Sequence, residues 1–130
     1  MASLALKKAL GCSFDAALSR VPDALKSEGF GVLTEVDIAD TLKKKLGVEF
    51  RRYRILGACN PPLAHEALQV DLEVGLMLPC NVIVYEGDDG KAMVAAVDPT
   101  EMPAARRDPR IREVAERVRA KLERVVARIE

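Results

Sequence analysis

Hydrophobic positions along this chain alternate between two periods. Residues 4–10 read as a short strand, kept to a sheet edge by Lys7 and Lys8. Ser13 then caps a helix whose apolar positions, Phe14, Ala17, Leu18, Val21 and Leu25, recur at helical spacing. Pro22 falls inside that stripe and predicts a kink or a division into two pieces, because proline removes a backbone donor. Gly29 ends the helix as a left-handed cap. From Phe30 the period becomes two, with Phe30, Val32, Thr34 and Val36 on one strand face. Asp37 caps a short helix carrying Ile38, Leu42 and Leu46, and Gly47 stops it after three lysines. Residues 53–59 form a third strand. Asn60 caps the next helix, which has Pro61 and Pro62 in its first turn and extends to residue 70.

Residues 76–85 are an apolar run broken by Pro79, which predicts a bulged strand. Gly87-Asp88-Asp89-Gly90 is a hairpin turn leading into a last strand over 91–97. Both of these strands are apolar at both parities, so the pattern requires cover on both sheet faces. The final segment is one long helix, capped by Asp108 and opened by Pro109. Its stripe is Ile111, Val114, Val118, Leu122, Val125 and Ile129, and from Pro109 to Ile129 the helix measures ~32 Å at 1.5 Å per residue. Asp108 with Arg112, and Glu113 with Arg117, are expected ion pairs one turn apart. Strands and helices interleave in an α+β order, and residues 1–130 read as one domain.

Composition narrows the function classes. A hydrophobic fraction of 49% supports a globular core, and no apolar run reaches the ~20 residues of a membrane span. Twenty basic and twenty acidic residues cancel, and only five aromatics occur, which speaks against nucleic acid as a partner. Residues 101–130 carry nine basic and six acidic side chains, read as a solvated helix face laced with ion pairs. Three cysteines without tight spacing make no disulfide framework. Met1 to Ala9 contains Lys7 and Lys8 but lacks a charged leader followed by an apolar stretch, so the expected location is the cytoplasm, with thiols reduced.

Several blocks carry a resemblance. They are Gly29-Phe30-Gly31-Val32-Leu33-Thr34-Glu35-Val36-Asp37, Lys45-Leu46-Gly47, Tyr53-Arg54-Ile55-Leu56-Gly57-Ala58-Cys59-Asn60-Pro61, Gly75-Leu76-Met77-Leu78-Pro79-Cys80-Asn81-Val82 and Asp98-Pro99. With the Arg/Glu-rich last helix, the chain resembles the domain-of-unknown-function 302 family over nearly its whole length. The resemblance implies a TATA-binding-protein-like fold: a curved antiparallel sheet of about five strands backed by helices, as a homodimer. It also implies a link with sulfur or redox metabolism, and it carries no established activity. Cys12 lies outside the matching blocks.

The candidate chemistry lies in those blocks. Cys59 ends a strand directly before the helix cap Asn60, and Cys80 stands between Pro79 and Asn81. If the two strands are antiparallel neighbours, Cys59, Asn60, Cys80 and Asn81 gather at one rim. By alternation Cys59 shares a face with Tyr53 and Ile55, and Cys80 with Val82 and Val84, both taken as helix-covered. The following helix favours a Cys59 thiolate, making it the more nucleophilic of the two. A small ligand or a thiol-exchange partner fits such a rim. The competing reading makes the cysteines packing residues and the asparagines caps in a dimeric interaction module.

No metal or cofactor is expected. His65 stands at no common zinc spacing from the cysteines and reads as a helix-surface residue. Gly29-Phe30-Gly31 runs from helix to strand, the reverse of a phosphate loop. Glu35 and Asp37 share a strand face, but Asp37 is already needed as a cap.

Overall fold

The computed structural model describes residues 5–130, so Leu4, the first residue of the strand expected over 4–10, lies outside them. Strand β1 (Ala5–Ala9) is followed by helix α1 (Phe14–Ser27), strand β2 (Gly31–Asp37), helix α2 (Ile38–Leu46) and strand β3 (Tyr53–Cys59). Helix α3 (Pro61–Val70), strands β4 (Cys80–Glu86) and β5 (Ala92–Val97), and helices α4 (Pro103–Arg107) and α5 (Pro109–Arg128) complete the order. Two 3₁₀ turns, Leu72–Met77 and Pro99–Glu101, join them. The strands form one open antiparallel sheet, ordered β1-β5-β4-β3-β2. This is the α+β architecture that the pattern predicts.

Local chemistry fixes the helix ends. Side chains of Ser13, Asp37, Asn60 and Asp108 accept the backbone N–H of Ala16, Asp40, Leu63 and Arg110 at 3.2, 2.9, 3.4 and 2.9 Å. Gly29 (φ 86°) follows α1, and Gly47 (φ 68°) caps α2, both left-handed. Pro22 does not divide α1, which runs unbroken through it. Val21 and Leu25 on either side are wholly buried, and their packing outweighs the one backbone bond that proline forfeits.

Two expectations about the middle of the chain are corrected. Residues 76–78 are not strand. Leu72–Met77 winds as a 3₁₀ turn, opened by the Asp71 carboxylate accepting Glu73 N–H at 2.9 Å. Proline donates nothing to a ladder, so β4 begins only after Pro79. The bulge sits in β2 instead, at Leu33, where the register shifts between Val32 and Thr34. Near the chain's other end, Asp108 pairs with Arg110 at 3.1 Å rather than with Arg112. Arg112 donates to the carbonyls of Ala105 and Arg106 at 3.1 and 2.7 Å, closing the end of α4. Glu113 and Arg117 pair as expected, at 3.0 Å.

The sheet has one packed face. Leu56, Ala58, Val82, Val84, Val94 and Ala96 join Phe14, Leu25, Leu122 and Val125 of α1 and α5 in a single core. Each large side chain buried there contributes roughly 1.5–3 kcal/mol. Residues opposite one another across antiparallel strands share a face. Tyr53 with Tyr85, and Ile55 with Ile83, therefore lie on the outer face, where all four stay half-buried. The two tyrosine rings stack at 5.5 Å and 13°. Of the cover expected on both faces, the described residues supply only that of the inner face, and the outer one keeps an apolar surface in partial contact with water.

Candidate functional site

Where β3 ends and β4 begins, the inner layer is incompletely filled. An apolar cavity of about 80 Å³ lies between α3, the Leu72–Met77 turn, α4 and α5. The cause is legible in side-chain size. Ala67, Ala104, Ala105 and Ala115 face this space where neighbouring positions of the core carry leucine, valine or isoleucine. Val74, Met77, Leu78 and Met102 close it.

Three of the four expected rim residues line the cavity: Cys59, Asn60 and Cys80. Asn81 does not. It is exposed and stands opposite Gly57 on the outer face. Asn60 is buried, and its amide is committed to structure. Its oxygen caps α3, and its Nδ2 donates to the Glu28 carbonyl at 3.2 Å. Gly29 is needed beside it for two reasons. Its φ is positive, and a Cβ there would stand 3.1 Å from Asn60 Nδ2.

The expectation that both thiols share one covered face is corrected. Cys80 stands directly opposite Ala58, so it belongs to the inner face with Leu56, Val82 and Val84. Cys59, one residue further, belongs by alternation to the outer face with Tyr53 and Ile55 and borders the cavity from the strand end. Register between two strands is a property of the pair, and a shift by one residue exchanges every face. Burial pushes the Cys80 thiol up to about 11, and the charge on nearby Cys59 adds to the effect. At neutral pH Cys80 is a neutral, soft, polarizable wall atom. All three cysteines are free, and Cys12 lies elsewhere, its thiol donating to the Glu130 carbonyl at 3.4 Å.

Other sequence candidates resolve into structure. Arg54 holds both Glu35 (2.8 Å) and Asp37 (3.2 Å), so both carboxylates of that pair are engaged in one ion-pair cluster. His65 is exposed on α3. Buried Asp98 accepts from Thr100 N–H at 3.0 Å and Thr100 Oγ1 at 2.6 Å and pairs with Arg119 at 3.1 Å, fixing the turn that leads to Met102. Reading for reactive groups missed Met77, Met102 and the alanines. The available signal was the run of small residues at core-facing helical positions.

Gly57 ties the outer face to this region. A Cβ at Gly57 would overlap Thr34 Oγ1 and lie 2.6 Å from Pro79 Cγ. The bare backbone lets the proline ring settle over β3, and the next residue, Cys80, then enters the sheet against Ala58. Among the described residues no helix is long and apolar enough to cross a membrane, and no three His, Cys, Asp or Glu are grouped to hold a metal.

Residues 6–129 match the sequence model of the family described as "Domain of unknown function DUF302". Among solved structures, the uncharacterized conserved protein DUF302 from Bacillus stearothermophilus superimposes with a TM-score of 0.91. The two chains are 29% identical, over 99% of this chain and 100% of that one. No curated protein matches the chain.

Proposed function

The chain belongs to the DUF302 family, and from that premise we propose that it is a cytoplasmic protein that binds a small apolar ligand in the cavity beside Cys80. What supports the reading is the cavity itself. Protein interiors are close-packed, with few voids larger than a water molecule. The pocket is partly open to solvent, so leaving its 80 Å³ empty costs at most the roughly 2 kcal/mol of a fully enclosed void at ~24 cal/mol per Å³. An apolar lining gives water too few partners to fill it. A short aliphatic molecule, or the end of a longer chain entering past Met77 and Met102, would recover that cost. Three free cysteines suit a reducing compartment. Binding is favoured over thiol exchange because Cys80 is held in its neutral form and Cys59 points by alternation to the other face.

The test fills the space. Ala67→Leu, with Ala115→Leu as a second variant, is expected to raise the denaturation midpoint by the equivalent of ~1–2 kcal/mol. The same variants should abolish the chemical-shift changes that xenon or a short-chain alcohol produces at Val74, Met77 and Cys80. If both variants lower stability and leave probe binding intact, the cavity is not the site.

A further inference from the structure

The chain has three cysteines and four methionines, and two of each line one cavity: Cys59, Cys80, Met77 and Met102. All four are half-buried while the alanine wall behind them is buried, so the sulfur-bearing side chains surround the entrance. The topology brings them there from separate stretches of chain. Cys59 closes β3, and Cys80 opens β4 opposite Ala58, the residue before Cys59. Cys59 lies near enough for its charge to act on the Cys80 thiol. Met77 ends the 3₁₀ turn just ahead of Pro79 and Cys80. β5 leaves the sheet at this same end, Ala96 standing opposite Val82, and Met102 follows the Pro99–Glu101 turn. Among the described residues no carboxylate, imidazole or ammonium group lines the cavity. The carboxylate of Glu101, beside Met102, is held by Arg106 at 3.1 Å, and both polar atoms of the Asn60 amide are committed.

We propose that this entrance is a site for a soft monovalent metal ion, copper(I), held by the Cys80 sulfur and the thioethers of Met77 and Met102, with Cys59 at its border. Thiolate combined with thioether donors suits copper(I), and the imidazole and oxygen ligands that favour zinc, calcium or manganese are missing from the lining. Charge selects in the same direction. The metal displaces the Cys80 proton to solvent, a copper–sulfur bond replacing a sulfur–hydrogen bond with no change of oxidation state. A monovalent ion on one thiolate and two neutral thioethers is uncharged overall, which an apolar wall tolerates. A divalent ion would leave a net charge in the same surroundings. Methionine is unbranched, with three rotatable bonds, so Met77 and Met102 close on the ion by side-chain rotation. The site stands at the entrance, so it does not depend on an apolar ligand occupying the interior.

Anaerobic titration of the whole chain with copper(I), in competition with bicinchoninate, is expected to give one tightly held ion per chain, with zinc(II) not retained. Met77→Leu and Met102→Leu conserve side-chain volume, and each should weaken copper(I) binding at least ~10-fold while leaving the far-ultraviolet circular dichroism unchanged. Cys80→Ala should weaken it at least ~100-fold through loss of the thiolate. Cys12→Ser, at a thiol engaged with the Glu130 carbonyl, should leave it unchanged. Failure of the chain to take copper(I) from bicinchoninate, or equal retention of zinc(II), would overturn the proposal. Unchanged affinity in the Met77→Leu, Met102→Leu double variant or in Cys80→Ala would overturn it equally, because the ion would then be held by other thiols.

Discussion

Gly57→Ala is expected to destabilise the fold by ~1–3 kcal/mol, an overpacking cost reached with a single methyl group. The added Cβ meets Thr34 Oγ1 on one side and the Pro79 ring on the other. Thr34 relieves its part by changing χ1, although a β-branched side chain in a strand has few alternatives. The proline ring has no such freedom, because it is closed onto its own backbone. Relief must then come from shifting Pro79, and with it Cys80, the wall residue that enters the sheet opposite Ala58. The Gly57→Ala, Thr34→Ala double variant should therefore regain only part of the loss in urea denaturation. An unchanged midpoint for Gly57→Ala alone would show that the close approach costs nothing.

A second large effect is expected at Cys80. A thiol moved from an ordinary value of 9.0 to about 11 carries roughly one hundredth of the usual thiolate at neutral pH. Alkylation of Cys80 by iodoacetamide in the folded protein should be slower by at least that factor than in urea. The same shift acts on stability. Below pH 9 the thiol is protonated in both states and contributes no pH dependence. Between pH 9 and 11 the unfolded chain has lost the proton while the folded chain retains it, so stability falls as pH rises. The loss approaches roughly 2–3 kcal/mol at the upper end and stops once the folded thiol also ionises. Cys80→Ala should flatten that part of the profile. A profile identical to wild type would mean that the thiol ionises freely in the folded state.

Much of this fold is legible because its helix ends are determined locally. Ser13, Asp37, Asn60 and Asp108 announce four helices from within a few residues, and Gly47 announces an end in the same way. The stripe of α5 is equally direct, from Ile111 to Ile129, because one helix face meets one core. What escapes the sequence is relational. The pairing of Cys80 with Ala58 rather than Cys59 is set by the way two distant strands slide into register, and either strand alone is compatible with both outcomes. The 3₁₀ turn over Leu72–Met77 hides inside an apolar run that strand propensity explains as well. The cavity is invisible for a different reason. It is made by what alanines leave out, and an alanine in a helical stripe reads as ordinary core.

The strand order has a consequence for how the molecule assembles. β2, β3, β4 and β5 each lie beside a sequence neighbour, whereas β1 pairs with β5, Leu6 standing opposite Ala96. Joining these partners closes a loop of ~90 residues, an entropic cost of about 4 kcal/mol, roughly 1–2.5 kcal/mol more than each of the nearer strand pairs. On the ribosome β1 emerges early and waits for nearly all of the sheet to follow. The four-stranded meander is then the natural nucleus, and β1 with the Lys8 side chain, which reaches the Ile129 carbonyl at 2.6 Å, locks on last. What locks last releases first. Amide hydrogens of Leu6 and Lys8 should exchange through a partial opening well before that of Val82, which lies between β3 and β5 and waits for the whole domain to unfold.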